Sequence, residues 1–182
     1  MPRSHFSRLV SVSWRLVLFS SASLVPLARA HTVAPGPFEA NWDSLGQKYQ
    51  FPDWFRDAKF GIWAHWDAQC VPEQGDWYGR FMYIQGTPDY KYHVDHYGHP
   101  SKYGYMELLN AWKAERWDPE KLMDLYVRAG AKYFVALANH HDNFDCYDST
   151  YQPWNSVRVG PHKDIVGTWE KIARERGLRF GV

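Results

Sequence analysis

What the sequence lacks narrows it quickly. Only two cysteines, Cys70 and Cys146, occur in 182 residues, which excludes a small disulfide-stapled scaffold. Whether these two pair is open, and two free thiols fit the sequence equally well. No stretch after residue 30 is long and apolar enough to span a bilayer. Neither sign of charge dominates: 21 Lys and Arg face 20 Asp and Glu, and no basic run stands out. Nucleic acid and anionic membrane are therefore disfavoured as partners.

The first thirty residues read as an address, not as part of a fold. Arg3, Arg8 and Arg15 give a basic start, Leu16 to Leu27 is mostly apolar and small, and Ala28-Arg29-Ala30 has a small-x-small cleavage pattern. The segment is short and interrupted by Pro26, which favours a cleaved signal peptide over an anchor. The expectation is a secreted or periplasmic protein whose mature chain begins near His31. Residues 31–51 read as a leader, and the ordered part as 52–182, one modest domain.

Within that domain the most informative stretch is Ala129 to Phe144, AGAKYFVALANHHDNF. A helix stop at Gly130 leads into an apolar run that ends in two histidines and an aspartate. An apolar run without strict alternation suits a strand covered on both faces of a parallel sheet. Polar groups just past its C-terminal end lie where α/β sheets and barrels keep their ligands.

The remaining elements repeat this pattern. Lys59 to His65 reads as a first strand, followed by a long aromatic connection with short helices around Asp89–Tyr97 and Gly104–Lys113. Asp118, Pro119 and Glu120 start a helix whose common face carries Leu122, Leu125, Tyr126 and Ala129. Tyr133 to Ala138 is the second strand. Asp164 caps a helix over about Ile165 to Arg176, with Ile165, Trp169, Ile172 and Ala173 on one face. Leu178 to Val182 begins a third strand. Strand, helix, strand, helix, strand calls for a parallel sheet with right-handed crossovers. Ending inside a strand, the chain reads as the front part of a larger domain.

Three polar clusters fall at one end of these strands: His65-Trp66-Asp67, then Glu73 to Tyr78, then His140-His141-Asp142. A catalytic metal is disfavoured. Barrel metallohydrolases place two histidines one residue apart on the first strand, and adjacent residues such as His140 and His141 point to opposite faces of an extended chain. His93, His96 and His99 recur every third residue, but Gly98 and Pro100 break the helix before the third. They read as solvated, sugar-facing or structural. Acid–base chemistry on a glycosidic bond remains, and it needs two carboxylates flanking the bond. Asp67, Glu73, Asp76, Asp142, Asp145 and Asp148 are candidates, none singled out by sequence. The aromatic content, 10 Trp and 12 Tyr, fits either a core or platforms for sugar rings.

At these residues the chain resembles the α-L-fucosidases of glycoside hydrolase family 29. The likeness covers about residues 52–182. It rests on WFRDAKFGIWAHW at 54–66, DWY at 76–78, RWDPEKLMDLYVRAGAKYFVALANHHDNFDCYDS at 116–149, WNSV at 154–157, Asp164 and GLRFGV at 177–182, in that order. The resemblance implies an α/β fold: the first three or so β/α units of a (β/α)₈ TIM-like barrel, which needs about 250 residues to close. It implies retaining release of terminal L-fucose from a fucosylated oligosaccharide or glycoconjugate, with no cofactor and no metal. By the same likeness His65, Trp77, His140 and His141 contact the sugar, and Asp76 stands where the family usually carries Glu. Asn143 replaces the family's Gly in the His-His-Asp-Gly-Phe turn, and Asp67 replaces a Gly after His-Trp. The nucleophilic Asp and the general acid are expected beyond Val182, so that the 182-residue chain alone is inactive. Two other readings compete: a secreted carbohydrate-binding module, and a metal-dependent amidohydrolase.

Overall fold

The computed structural model describes residues 36–182; the expected signal peptide lies outside them. These residues fall into two compact units divided after Tyr49. The first contains one short helix, α1 (Trp42–Lys48), within the segment read as leader. Asn41 caps it, its side chain accepting from the Ser44 amide at 2.7 Å.

The second unit, Gln50–Val182, carries α2 (Asp53–Ala58), β1 (Ile62–Ala64), a 3₁₀ turn (Ala68–Cys70), α3 (Tyr78–Phe81), α4 (Pro88–Tyr97), α5 (Tyr105–Ala111), α6 (Pro119–Arg128), β2 (Tyr133–Ala136), α7 (Ile165–Glu175) and β3 (Arg179–Gly181). The three strands form one parallel sheet in the order β1-β2-β3. Ile62 pairs with Phe134 and Phe134 with Phe180, so these three share the face under the helices. Trp63, Val135 and Gly181 share the other face, where Trp63 is 60% exposed.

Capping chemistry explains the two crossover helices. Asp118 accepts from the Lys121 amide at 3.1 Å with Pro119 in the first turn, and Asp164 accepts from the Gly167 amide at 2.8 Å. Gly130, at φ 95°, closes the α6 turn in a conformation that favours glycine. On α7 the expected face is buried: Ile165, Val166, Trp169, Ile172 and Ala173. On α6 the expectation fails in part. Met123 is the fully buried residue, Leu122 and Tyr126 are half-buried, while Leu125 is 49% exposed and Ala129 is exposed. The buried stripe runs through Leu122, Met123 and Tyr126, and Tyr126 stacks on Phe134 with ring centroids 5.6 Å apart. Phe134 also meets Trp169 and Phe180 and is the centre of the helix–sheet layer. Arg176, at the end of α7, ties the two helices by pairing with Glu120 and Asp124.

The strands are shorter than the apolar runs that encode them. Lys59, expected to open β1, instead ends α2 at φ 62°. Gly61 is needed because a Cβ there would lie 2.2 Å from the Tyr133 ring. Tyr133 also packs with Trp54 and Phe55 of α2, which lies at the N-terminal ends of the strands. The long connection after β1 contains α4 and α5 near their expected positions. The short α2, α3 and the 3₁₀ turn have no sequence period and were not expected. Among the described residues no helix is long and apolar enough to cross a membrane.

Phe134→Ala should cost about 3–5 kcal/mol by emptying the centre of the layer, whereas Asp164→Ala should cost about 1 kcal/mol through the lost cap. Urea midpoints of the two variants check this ordering.

Candidate functional site

The strands end together, so the segments that follow β1 and β2 meet at one edge of the sheet. Alternation continues past β1. His65 lies beside Trp63, ring centroids 4.8 Å apart, while Trp66 turns to the helix layer against Trp112 and Trp117. Asp67 is buried and caps the 3₁₀ turn, its Oδ1 accepting from the Gln69 amide at 2.8 Å. Asp67 has an extended backbone (φ −150°), so no glycine conformation is required there.

Asp76 is where the three expected histidines converge. Its Oδ1 accepts from His65 Nε2 and lies 3.4 Å from His140 Nε2. Its backbone carbonyl accepts from His141 Nε2 at 3.1 Å. Trp77 stacks on His141, centroids 4.3 Å apart and planes 9° off parallel. His140 contacts both His65 and His141 edge to face. All five expected sugar-contact residues, His65, Asp76, Trp77, His140 and His141, therefore form one cluster. Clefts of about 360 Å³ and 480 Å³ flank it, one on the His65–Asp76 side and one on the Trp77–His141 side. A larger cavity of about 560 Å³ shares Trp66, Cys70 and Glu73 with the first cleft and extends along Trp112, Trp117 and Tyr126 of the helix layer.

Asp142 and Asp145, at the same edge, do structural work. Asp142 accepts from Tyr105 Oη at 2.7 Å and from the Phe144 amide at 3.1 Å. Burial and the neighbouring Asp142 push the Tyr105 phenol up, so it stays a donor. Asp145 is buried and accepts from Asn139 Nδ2 at 2.7 Å. Asn143 adopts φ 58°, the left-handed turn that asparagine tolerates. Glu73 and Asp148 are exposed.

Two other expectations are decided here. Cys70 and Cys146 are free thiols, Cys146 buried and its thiol pushed up by that burial. His93 is fully buried, accepting from Tyr78 Oη at Nδ1 and donating from Nε2 to the Tyr103 carbonyl. His96 donates instead to the Tyr92 carbonyl and His99 meets Ser101, so the three histidines form no common site.

Among the described residues, one group has the makings of a cation site: His65, Asp76 and His140 offer ligand atoms within 4.8 Å of one another. Two imidazoles and a carboxylate are a donor set that suits zinc. His141, expected to point away from His140, does not join this group and is turned to the Asp76 carbonyl. Gln69 and Tyr105, which buttress the site, were not anticipated. A lone glutamine after a strand and a tyrosine at a helix start carry no distinguishing pattern.

With this geometry, the comparisons are specific. A family profile described as alpha-L-fucosidase matches residues 25–182. The chain belongs to the α-L-fucosidase family. It is 34% identical over 175 residues to the tissue alpha-L-fucosidase of Rattus norvegicus, covering 94% of this chain and 36% of that protein. It is 35% identical over 151 residues to the Homo sapiens tissue enzyme, covering 81% and 32%. The crystal structure of Thermotoga maritima alpha-fucosidase superposes with a TM-score of 0.73 at 38% identity, over 80% of this chain and 36% of that one. The same Thermotoga protein has been solved with fucose. The chain thus spans about a third of the length of the curated relatives it matches.

Burial pushes the Asp67 carboxyl above its ordinary 3.8, with Asp142 adding to the shift. The folded state then holds this proton more tightly than the unfolded state, so stability falls as pH rises from about 3.8 through the raised folded value. Asp67→Asn should remove that loss, flattening the urea midpoint between pH 3.5 and 6.5 relative to the unsubstituted protein.

Proposed function

We propose that this segment forms the fucose-holding side of a retaining α-L-fucosidase, acting on terminal α-L-fucosyl residues of oligosaccharides or glycoconjugates. The observation that carries the reading is the convergence of His65, His140 and His141 on Asp76, with Trp77 stacked alongside. Imidazole N–H groups supply donors, a carboxylate supplies an acceptor, and an indole supplies an apolar face. A deoxyhexose presents the complement: ring hydroxyls on one side and a methyl and C–H face on the other.

The catalytic pair of carboxylates lies outside the described residues in this reading. Asp67, Asp142 and Asp145 already serve as acceptors within the protein, and Asp76 is held by His65. Hydrolysis with retention needs a nucleophile and an acid about 5–5.5 Å apart, brought by later strands. Those strands would complete the (β/α)₈ barrel of which 52–182 supplies the first three units. Two observations support this. Parallel sheets are normally covered on both faces, yet Trp63 is 60% exposed on the face opposite the helices. The outer edge of β1 has no strand partner among the described residues. Residues 1–30 are proposed as a signal peptide directing the protein to the periplasm or outside the cell, with 31–51 as a leader. No metal and no cofactor enters the reaction.

The intact polypeptide carrying this segment should hydrolyse an aryl α-L-fucoside and release α-L-fucose as the first anomer, seen by proton NMR. His65→Ala or Trp77→Ala should raise KM about tenfold or more, through lost hydrogen bonds or stacking. The 182-residue chain alone should show no turnover. Release of the β-anomer first would overturn the retaining mechanism, and robust turnover by the short chain would overturn the placing of the carboxylates.

A further inference from the structure

We infer that Gln69, held in place by Asp67, is a positioning residue that fixes the proton of His140 on Nε2 and thereby turns the His65–Asp76–His140 cluster away from divalent cations and toward a hydroxylated ligand. The effect on sugar binding rests on the fucosidase reading. The effect on the imidazole does not.

Gln69 is only 6% exposed, and its side chain has three neighbours that agree on one orientation. Its Oε1 accepts from the Gly79 amide at 3.3 Å. Its Nε2 donates to Asp67 Oδ2 at 3.4 Å and lies 3.0 Å from His140 Nδ1. Flipping the amide would set its oxygen against a carboxylate and its NH₂ against the Gly79 N–H. A carboxamide nitrogen donates and does not accept, so the ring nitrogen it faces must accept. His140 Nδ1 is therefore bare, and the neutral ring carries its hydrogen on Nε2.

The opposite side of the ring gives the same answer. Asp76 Oδ1 lies 3.4 Å from His140 Nε2 and is already bonded to His65 Nε2. A carboxylate oxygen favours N–H groups on both imidazoles and disfavours lone pairs. His140 is thus clamped from behind by a donor and from in front by an acceptor. Its Nε2–H is the form that hydrogen-bonds a sugar hydroxyl oxygen.

The same clamp works against a metal. To ligate a cation through Nε2, His140 would have to move its hydrogen to Nδ1. That hydrogen would point at the Gln69 NH₂, two donors facing each other at a half-buried position. Metal-binding histidines ordinarily give their second N–H to a carboxylate or carbonyl. Gln69 offers the wrong polarity, so the His₂–carboxylate cluster has the spacing for zinc and lacks the outer support. Asp67 completes the device: with its Oδ1 on the Gln69 amide and its Oδ2 on the Gln69 side chain, it fixes which end of that side chain meets His140.

The test reads the imidazole directly. In the intact protein labelled with ¹⁵N-histidine, with resonances assigned through His140→Gln, His140 should show an unprotonated Nδ1 and a protonated Nε2 near neutral pH. Gln69→Glu supplies an acceptor instead, so the hydrogen should shift to Nδ1 and Zn²⁺ affinity should rise about ten- to a hundredfold. Its L-fucose affinity should weaken. Should that variant fail to fold, Gln69→Met removes the donor at similar volume; it should give a mixture of both tautomers and about a three- to tenfold loss of L-fucose affinity. A protonated Nδ1 in the unsubstituted protein overturns the inference, as does a folded Gln69→Glu that binds Zn²⁺ no better. If the tautomer is as stated and switches in the variant while L-fucose does not bind at all, the clamp stands and the fucosidase reading falls.

Discussion

The site depends on one residue's two acceptors. The side chain and backbone carbonyl of Asp76 gather three imidazoles from segments that are 11 and about 65 residues away in the chain. Gln69 to His140 and Tyr105 to Asp142 add further polar links between the connection after β1 and the turn after β2, but only Asp76 holds all three imidazoles. The sheet makes it possible. Because β1 and β2 are parallel and in register from Ile62–Phe134 to Ala64–Ala136, their following segments leave from the same edge. An antiparallel pair would have sent His65 and His140 to opposite ends. Phe134, clamped between Tyr126 and Trp169, holds that register to the helix layer.

Much of this scaffold was legible because its signals are local. Asp118-Pro119 and Asp164 are capping residues whose preference comes from orphan amides in a first helical turn, and both helices begin where those residues say. Gly130 stops α6 for an equally local reason. Strand lengths and burial were less legible because they depend on contacts from afar. Lys59 reads as part of an apolar run but closes α2, and Ala138, expected at the end of β2, lies two residues past it. Leu125 has the right spacing for a core face, yet Met123 takes the buried position and Leu125 is left half-exposed. Short helices such as α3 span a single turn and leave no periodic trace.

The site divides the same way. Polar clusters beyond parallel strand ends form a visible pattern, but it was the family resemblance that named His65, Asp76, Trp77, His140 and His141, and those five stand together. Which acceptor each imidazole meets was not visible, since that depends on a connection of roughly seventy residues folding back. Gln69 illustrates the gap. Nothing in Ala68-Gln69-Cys70 marks the glutamine as special. Its importance comes from facing Gly79, Asp67 and His140 at once, two of them close in sequence and one 71 residues away.

Asp67 is the costliest part of the arrangement. A carboxylate 4% exposed, with its pKa raised chiefly by that burial and further by Asp142, disfavours the folded state in its charged form. Packing alone gives no reason to keep it, because the 3₁₀ turn it caps is only three residues long. Its two oxygens do have a joint effect that a smaller residue lacks: both engage Gln69, one through the backbone and one through the side chain. Without Asp67 only the Gly79 amide, at 3.3 Å, would orient the Gln69 side chain, and its hold on the end that meets His140 would be weaker. Fixing the amide settles that orientation before any ligand arrives, so the ordering cost falls on folding and not on binding. A buried charge that loses stability while setting the polarity of a cleft is better accounted for by the ligand than by the fold.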